Sequence, residues 1–198
     1  MLRKLILACA GLACGSVHAA EPSAAPQIVP REQWGAKPAV KELMKPQKQA
    51  AIVVHHTSSR RQPKVSLEKK LKGLQSFSQR EDKVAGKKKP AWGDVPYHYY
   101  IDASGRVGEG RNINFAGDTN TSYDPANNIL IVVEGDFESE MPSGEQKSAL
   151  KTLVVWLARN YKIPASRITG HNDHAQTDCP GKNLKPFLED LRKAVSGG

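Results

Sequence analysis

Two short runs constrain this chain most. Ala50-Ala51-Ile52-Val53-Val54 and Ile129-Leu130-Ile131-Val132-Val133 are apolar at every position, with β-branched residues in most of the places. A run with no polar face has to be covered on both sides, which predicts strands in the interior of a sheet flanked by helices. Helical spacing supplies the cover. Leu67, Leu71, Leu74 and Phe77 mark an amphipathic helix between Ser66 and Arg80 with lysines on its outer face. Ser143 and Gln146 form a capping box that opens a second helix. It places Leu150, Leu153, Val154, Leu157 and Tyr161 on one face and stops before Pro164. Leu184, Phe187, Leu188, Leu191 and Val195 mark a third. Tyr97 to Val107 reads as a hairpin turning at Asp102-Ala103-Ser104-Gly105. Residues 81–93 and 114–128 read as loops. The expected fold is a single α/β domain, a central mixed β-sheet flanked by helices. There is no internal repeat and no Gly-rich phosphate loop.

At 198 residues, one domain with a substantial core is expected. With 39% apolar and 25% charged residues, the composition excludes a disordered, collagen-like or multi-span membrane chain. The N-terminus reads as a Sec-type export signal over residues 1–19. Arg3 and Lys4 precede an apolar stretch from Leu5 to Val17, and Val17-His18-Ala19 resembles a cleavage site. The stretch is too short to span a bilayer. A periplasmic or secreted location follows, with residues 20–27 as a flexible leader. An uncleaved interfacial anchor is the other reading. A lipoprotein is disfavoured, because Gly11 stands where a large aliphatic residue would precede Cys14. Cleavage removes Cys9 and Cys14 and leaves Cys179, so no internal disulfide framework exists and that thiol needs another explanation.

His55 sits where the first buried strand ends, a place where α/β folds put functional groups. His171 and Cys179 lie in a polar stretch, Gly170-His171-Asn172-Asp173-His174-Ala175-Gln176-Thr177-Asp178-Cys179-Pro180-Gly181. Two imidazoles and a thiolate suit zinc, and three protein ligands leave one tetrahedral position open. The same residues also fit a cysteine hydrolase, with Cys179 as nucleophile and a histidine as base.

Four blocks carry a resemblance. Val29-Pro30-Arg31-Glu32-Gln33-Trp34-Gly35-Ala36, Ile52-Val53-Val54-His55-His56-Thr57, Val95-Pro96-Tyr97-His98-Tyr99 and Gly170-His171 through Thr177-Asp178-Cys179-Pro180-Gly181 occur in one order over residues 28 to 190. This resembles the type 2 N-acetylmuramoyl-L-alanine amidases, the family that includes peptidoglycan recognition proteins and amidase-type phage lysozymes. The resemblance implies zinc in an open groove held by His55, His171 and Cys179. It also implies an active-site tyrosine at Tyr97 and a polar group at Thr177, two residues before the cysteine. The expected reaction is zinc-dependent hydrolysis of the amide between N-acetylmuramic acid and L-alanine in peptidoglycan. A non-catalytic peptidoglycan receptor of the same fold is the alternative, beside the cysteine hydrolase.

Asp118 and His174 are further candidates for substrate contact. Ala116-Gly117-Asp118-Thr119 replaces the histidine-bearing loop of many relatives, and Val132 stands where cytoplasmic relatives carry a glutamate. Glu134 is the nearest acid. Strand alternation turns His56 and His98 away from the site, towards packing roles.

The net charge of +9 suggests an anionic partner. Residues 60–89 hold 11 Lys+Arg against 3 Asp+Glu, residues 1–19 add +2, and the remainder sums to −1. The excess therefore belongs to a basic insertion spanning residues 60–93. It is expected either as a solvated helix face with a loose loop, or as a surface that steers the chain onto anionic wall or outer-membrane polymers. A monomer is expected. Nothing supports a nucleic-acid partner, since no recognition helix, RNA-binding aromatic motif or zinc-finger spacing is present.

Overall fold

The structure is a computed structural model that describes residues 25–84 and 86–197. The export signal read in residues 1–19, and the leader as far as residue 24, lie outside the described residues.

Both apolar runs are strands at the centre of one six-stranded sheet. In chain order the strands are β1 (Ile28–Val29), β2 (Ala51–His56), β5 (Tyr99–Ile101), β6 (Val107–Glu109), β7 (Asn128–Val133) and β8 (Ile168–Gly170). A separate pair, β3 (Asp82–Val84) and β4 (Lys87–Lys89), forms a small hairpin. The large sheet runs β1-β6-β5-β7-β2-β8, and every neighbouring pair is parallel except β5 with β6. All six residues of β2 are buried, as are five of the six in β7. The mixed α/β sheet is the expected architecture, and its parallel core explains why neither run needs a polar face.

Alternation along the strands sorts side chains onto two layers. Ile52, Val54, Ile129, Ile131 and Val133 face a large core closed by α2 (Gly144–Tyr161) and α3 (Phe187–Ser196). Val132 and Tyr100 face the smaller core under α1 (Leu67–Ser78), with Trp34, Leu67 and Leu71. Ser66 caps α1 by accepting from the Lys69 amide at 3.3 Å. The Ser143–Gln146 capping box opens α2, which ends where Lys162 turns left-handed at φ 54° ahead of Pro164. Leu184 is fully buried but precedes α3, in a turn whose amide bonds to the Gly181 carbonyl.

The stretch 81–93 departs from the loop expectation. Its hairpin pairs Asp82 with Lys89, Lys83 with Lys88 and Val84 with Lys87. Two strands of three residues are marginal alone. Here Lys89 anchors them. It is fully buried, and its ammonium donates to the carbonyls of Ser78, Arg80 and Pro90 at 3.0, 2.7 and 2.8 Å. The same ammonium lies 4.4 Å from the Trp92 ring centroid and 5.0 Å from that of Phe77. A lone lysine in a charge run gives no sequence sign that it will turn inward.

Candidate metal centre and its groove

Register builds the site. β8 lies parallel to β2 with Gly170 opposite Val54, so the next residue of each strand path, His171 and His55, emerges at the same level. Their ring centroids are 4.5 Å apart. The chain then folds back. Asn172 donates its amide to the Cys179 carbonyl at 2.8 Å, and the Cys179 amide donates to Thr177 Oγ1 at 3.2 Å. Gly181 makes the return possible: it sits at φ 93°, and a Cβ there would lie 2.5 Å from the Phe137 carbonyl carbon.

Cys179 Sγ ends 3.7 Å from His55 Nδ1 and accepts the His56 amide at 3.3 Å. One ligand atom from each of His55, His171 and Cys179 lies within 4.8 Å of the others, all three residues being buried. Zinc bonds of about 2.0 and 2.3 Å at the tetrahedral angle separate nitrogen from sulfur by about 3.6 Å, so the donor set fits that ion. Thr121 Oγ1 hydrogen-bonds His171 Nε2 at 2.9 Å and leaves Nδ1 as the free donor. His55 Nε2 is buried and finds no partner among the described residues.

Burial sets the charges. It holds the His55 imidazole well below its ordinary value, with His171 adding to the effect, and lowers His171 to about 4. It pushes the Cys179 thiol up to about 12. Without a cation the cluster is two neutral imidazoles and a thiol, an environment opposite to that of a nucleophilic cysteine, which needs a depressed pKa.

The cluster opens into a groove of about 770 Å³. Tyr97 and Thr177 both line it. The Tyr97 ring centroid is 5.2 Å from that of His55, and burial raises its phenol above the ordinary value, so the hydroxyl stays protonated. Asp118 also lines the groove, but its carboxylate is engaged by the buried guanidinium of Arg111. Arg111 in turn donates to the carbonyls of Val95 at 2.8 Å and Asp94 at 3.1 Å. His174 is exposed and is not among the groove-lining residues. Its Nε2 bonds Thr169 Oγ1 at 2.8 Å, and its ring stacks on Tyr123.

Glu134 points to the α1 side, where it lines the groove and holds three donors. It accepts from the Gln62 amide, the Lys70 ammonium and the Ala103 amide, each at 2.7 Å. His98 has the packing role its strand position implies, while His56 packs through Nδ1 but also reaches the groove, where its Nε2 bonds Ser58 Oγ at 2.7 Å. His56 Nδ1 accepts the Phe137 amide at 3.1 Å. His98 Nδ1 accepts the Leu130 amide at 2.8 Å, while its Nε2 donates to the Phe115 carbonyl at 2.9 Å.

Two residues escaped sequence reasoning. Thr121 and Tyr123 belong to the long loop ahead of β7, yet the first bonds His171 and the ring of the second lies 5.2 Å from it. Nothing in a Thr/Asn/Ser-rich stretch distinguishes a residue that orients a ligand from one that faces water.

Residues 45–182 match the family Amidase_2, N-acetylmuramoyl-L-alanine amidase. The chain belongs to this family. Among curated relatives, peptidoglycan-recognition protein LB of Drosophila melanogaster is 27% identical over 166 residues, covering 80% of this chain and 66% of that protein. Peptidoglycan recognition protein 1 of Mus musculus is 28% identical over 165 residues, with 82% and 86% covered. Solved structures agree on the fold. Drosophila PGRP-LB superposes with a TM-score of 0.69 at 23% identity, covering 82% of this chain and 92% of that one. An endolysin N-acetylmuramoyl-L-alanine amidase of Clostridium intestinale gives 0.66 at 26%, with 88% and 99% covered. This amidase-family fold thus brings together the three predicted ligands, Tyr97 and Thr177 in one groove, and leaves His174 outside it.

Proposed function

We propose that this protein hydrolyses the amide between N-acetylmuramic acid and L-alanine in peptidoglycan, with zinc held by His55, His171 and Cys179. The carrying observation is the cluster itself: three neutral donors within 4.8 Å, buried at the floor of a groove in an amidase-family domain. Bound zinc supplies a Lewis acid for the amide carbonyl and acidity for the attacking water.

The protein's own residues do the rest. Tyr97, kept protonated by burial, offers its hydroxyl hydrogen to the oxyanion that develops on the scissile carbonyl. Thr177 accepts the Cys179 amide through Oγ1, which leaves its hydroxyl hydrogen free to donate into the groove. Glu134 takes no proton in this scheme: its carboxylate is engaged by the Gln62 amide, the Lys70 ammonium and the Ala103 amide. The groove walls exclude water around the reacting amide and hold the muramoyl and peptide parts in register. The reading of residues 1–19 as an export signal supports an activity located where cell wall is found.

The test is bound-metal analysis coupled to digestion of purified peptidoglycan, with mass spectrometry of the fragments. Stem peptides with a new amino-terminal alanine, lost on chelation and restored by zinc, support hydrolysis. Digestion that survives metal removal but stops on thiol alkylation would return the cysteine hydrolase. Bound zinc with no released peptide would return the receptor.

A further inference from the structure

The β3–β4 hairpin is a mounted cationic platform, and three observations make it more than a solvated loop. Its base is fixed, because the buried Lys89 ammonium ties it to the carboxyl end of α1 through the Ser78 carbonyl and the Phe77 ring, and to the flanking chain through the Arg80 and Pro90 carbonyls and the Trp92 ring. Its inner face is continuous with the groove: Val84 lines the cavity beside Phe77 and Trp92. Its outer face sets Lys83 directly opposite Lys88 across the strands, while Lys87, the cross-strand partner of Val84, stands at the turn end of the groove-side face; all three are exposed. Like charges directly opposed destabilise a strand pair. Among the described residues neither Lys83 nor Lys87 forms an ion pair, and Lys88 reaches only the exposed Glu81, at 3.5 Å. A short hairpin built around its own repulsion gains stability when a polyanion lies across it.

We propose that Lys83, Lys87 and Lys88 form a docking surface for the carboxylates of the peptidoglycan polymer beyond the bond being cut. The occupant follows from continuity. A polymer whose muramoyl amide reaches the zinc cluster passes the Val84 wall and Lys87 beside it, and its neighbouring stem peptides carry free carboxylates on to Lys83 and Lys88 on the hairpin's outer face. The inference rests on the substrate reading above, and it adds the part of that substrate the groove does not enclose.

The test compares the full chain with a K83Q/K87Q/K88Q variant, which leaves Lys89 and the groove untouched. Binding to sacculi stripped of phosphate polymers and lipid is measured by sedimentation, alongside turnover of a small soluble muropeptide. At 10 mM salt, where the screening length is about 30 Å, the variant binds at least about tenfold more weakly; at 1 M, where it is about 3 Å, the two agree within about twofold. Soluble turnover is unchanged. Amidating the sacculus carboxylates brings the parent down to the variant. Equal binding at low salt, or an equal loss at both salts, overturns the proposal. So does a difference that appears only on walls retaining phosphate polymer or lipid. If the parent binds sacculi in this salt-dependent way but cleaves neither substrate, the docking surface stands and the hydrolase reading falls.

Discussion

Val54 and Gly170 are partners in the parallel register of β2 and β8, and the residue after each is a histidine. That relationship assembles half the site without any loop having to find it. Strand pairing fixes the level at which His55 and His171 emerge, and the chain reversal through Thr177 brings Cys179 to the same point. Rigid elements hold a ligand set better than loops do, which suits a site whose donors are buried before any cation arrives.

Zinc binding should release a single proton. His55 and His171 are held neutral by burial, His171 at about 4, while the Cys179 thiol is raised to about 12. At pH 6, below the range near 7 in which zinc-bound water itself ionises, only the sulfur has a proton to lose. Proton competition therefore weakens binding as pH falls, by about tenfold for each unit. Calorimetry at pH 6 of zinc added to metal-free protein, in buffers of different ionisation enthalpy, should give about one proton released. Release close to zero would mean the thiol is already ionised. Cys179→Ser should abolish the release and most of the affinity.

Tyr97→Phe should lower kcat by about 10²–10³, the cost of removing one oxyanion donor. Zinc content should not change, since the ring lies against His55 and only the hydroxyl is removed. Paired measurement of turnover and bound metal tests both halves. Near-parental turnover would remove the tyrosine from the reaction.

The sheet was legible because Ile52 to Val54 and Ile129 to Val133 have no polar face, and the candidate ligands because His55 and His171 follow strand ends and Cys179 is the thiol that remains once residues 1–19 are read as an export signal. What stayed hidden depends on contacts between distant segments. Lys89 reads as one more cation in Lys87-Lys88-Lys89, and only the Trp92 and Phe77 rings beside it reveal a buried staple. Asp118 reads as a free groove carboxylate until Arg111 is placed beside it, seven residues away but across a turn. Glu134 reads only as the nearest acid, because the three donors that fix its face come from residues 62, 70 and 103.

Thr121 should act as the orienting partner of His171. Its Oγ1 lies 2.9 Å from Nε2, so accepting the Nε2 hydrogen leaves Nδ1 unprotonated for the metal. Losing such a partner typically weakens metal affinity by about 10–100-fold. Thr121→Val keeps the shape and removes the acceptor, so chelator competition should show a loss in that range with little change in melting temperature of the zinc-free protein. Thr121→Ser should restore most of the affinity. Equal affinity for all three proteins would reduce Thr121 to a groove-lining residue.

Acid should destabilise the zinc-free protein partly through His98. Burial lowers this imidazole from 6.5 to about 4, and its two nitrogens are committed as acceptor from Leu130 and donor to Phe115. The folded value lies below the unfolded one, so the unfolded chain binds the proton first. The contribution is therefore complete above pH 6.5 and is lost as pH falls towards 4, to a total of about 3 kcal/mol. His55 and His171 act in the same direction, so a slope for the parent alone does not isolate the site. His98→Gln should be less stable than the parent at pH 7, through its lost hydrogen bonds, yet lose about 3 kcal/mol less on going to pH 4. Urea unfolding at pH 7, 5.5 and 4 measures the difference; parallel slopes for the two proteins would mean that His98 does not stay neutral in the fold.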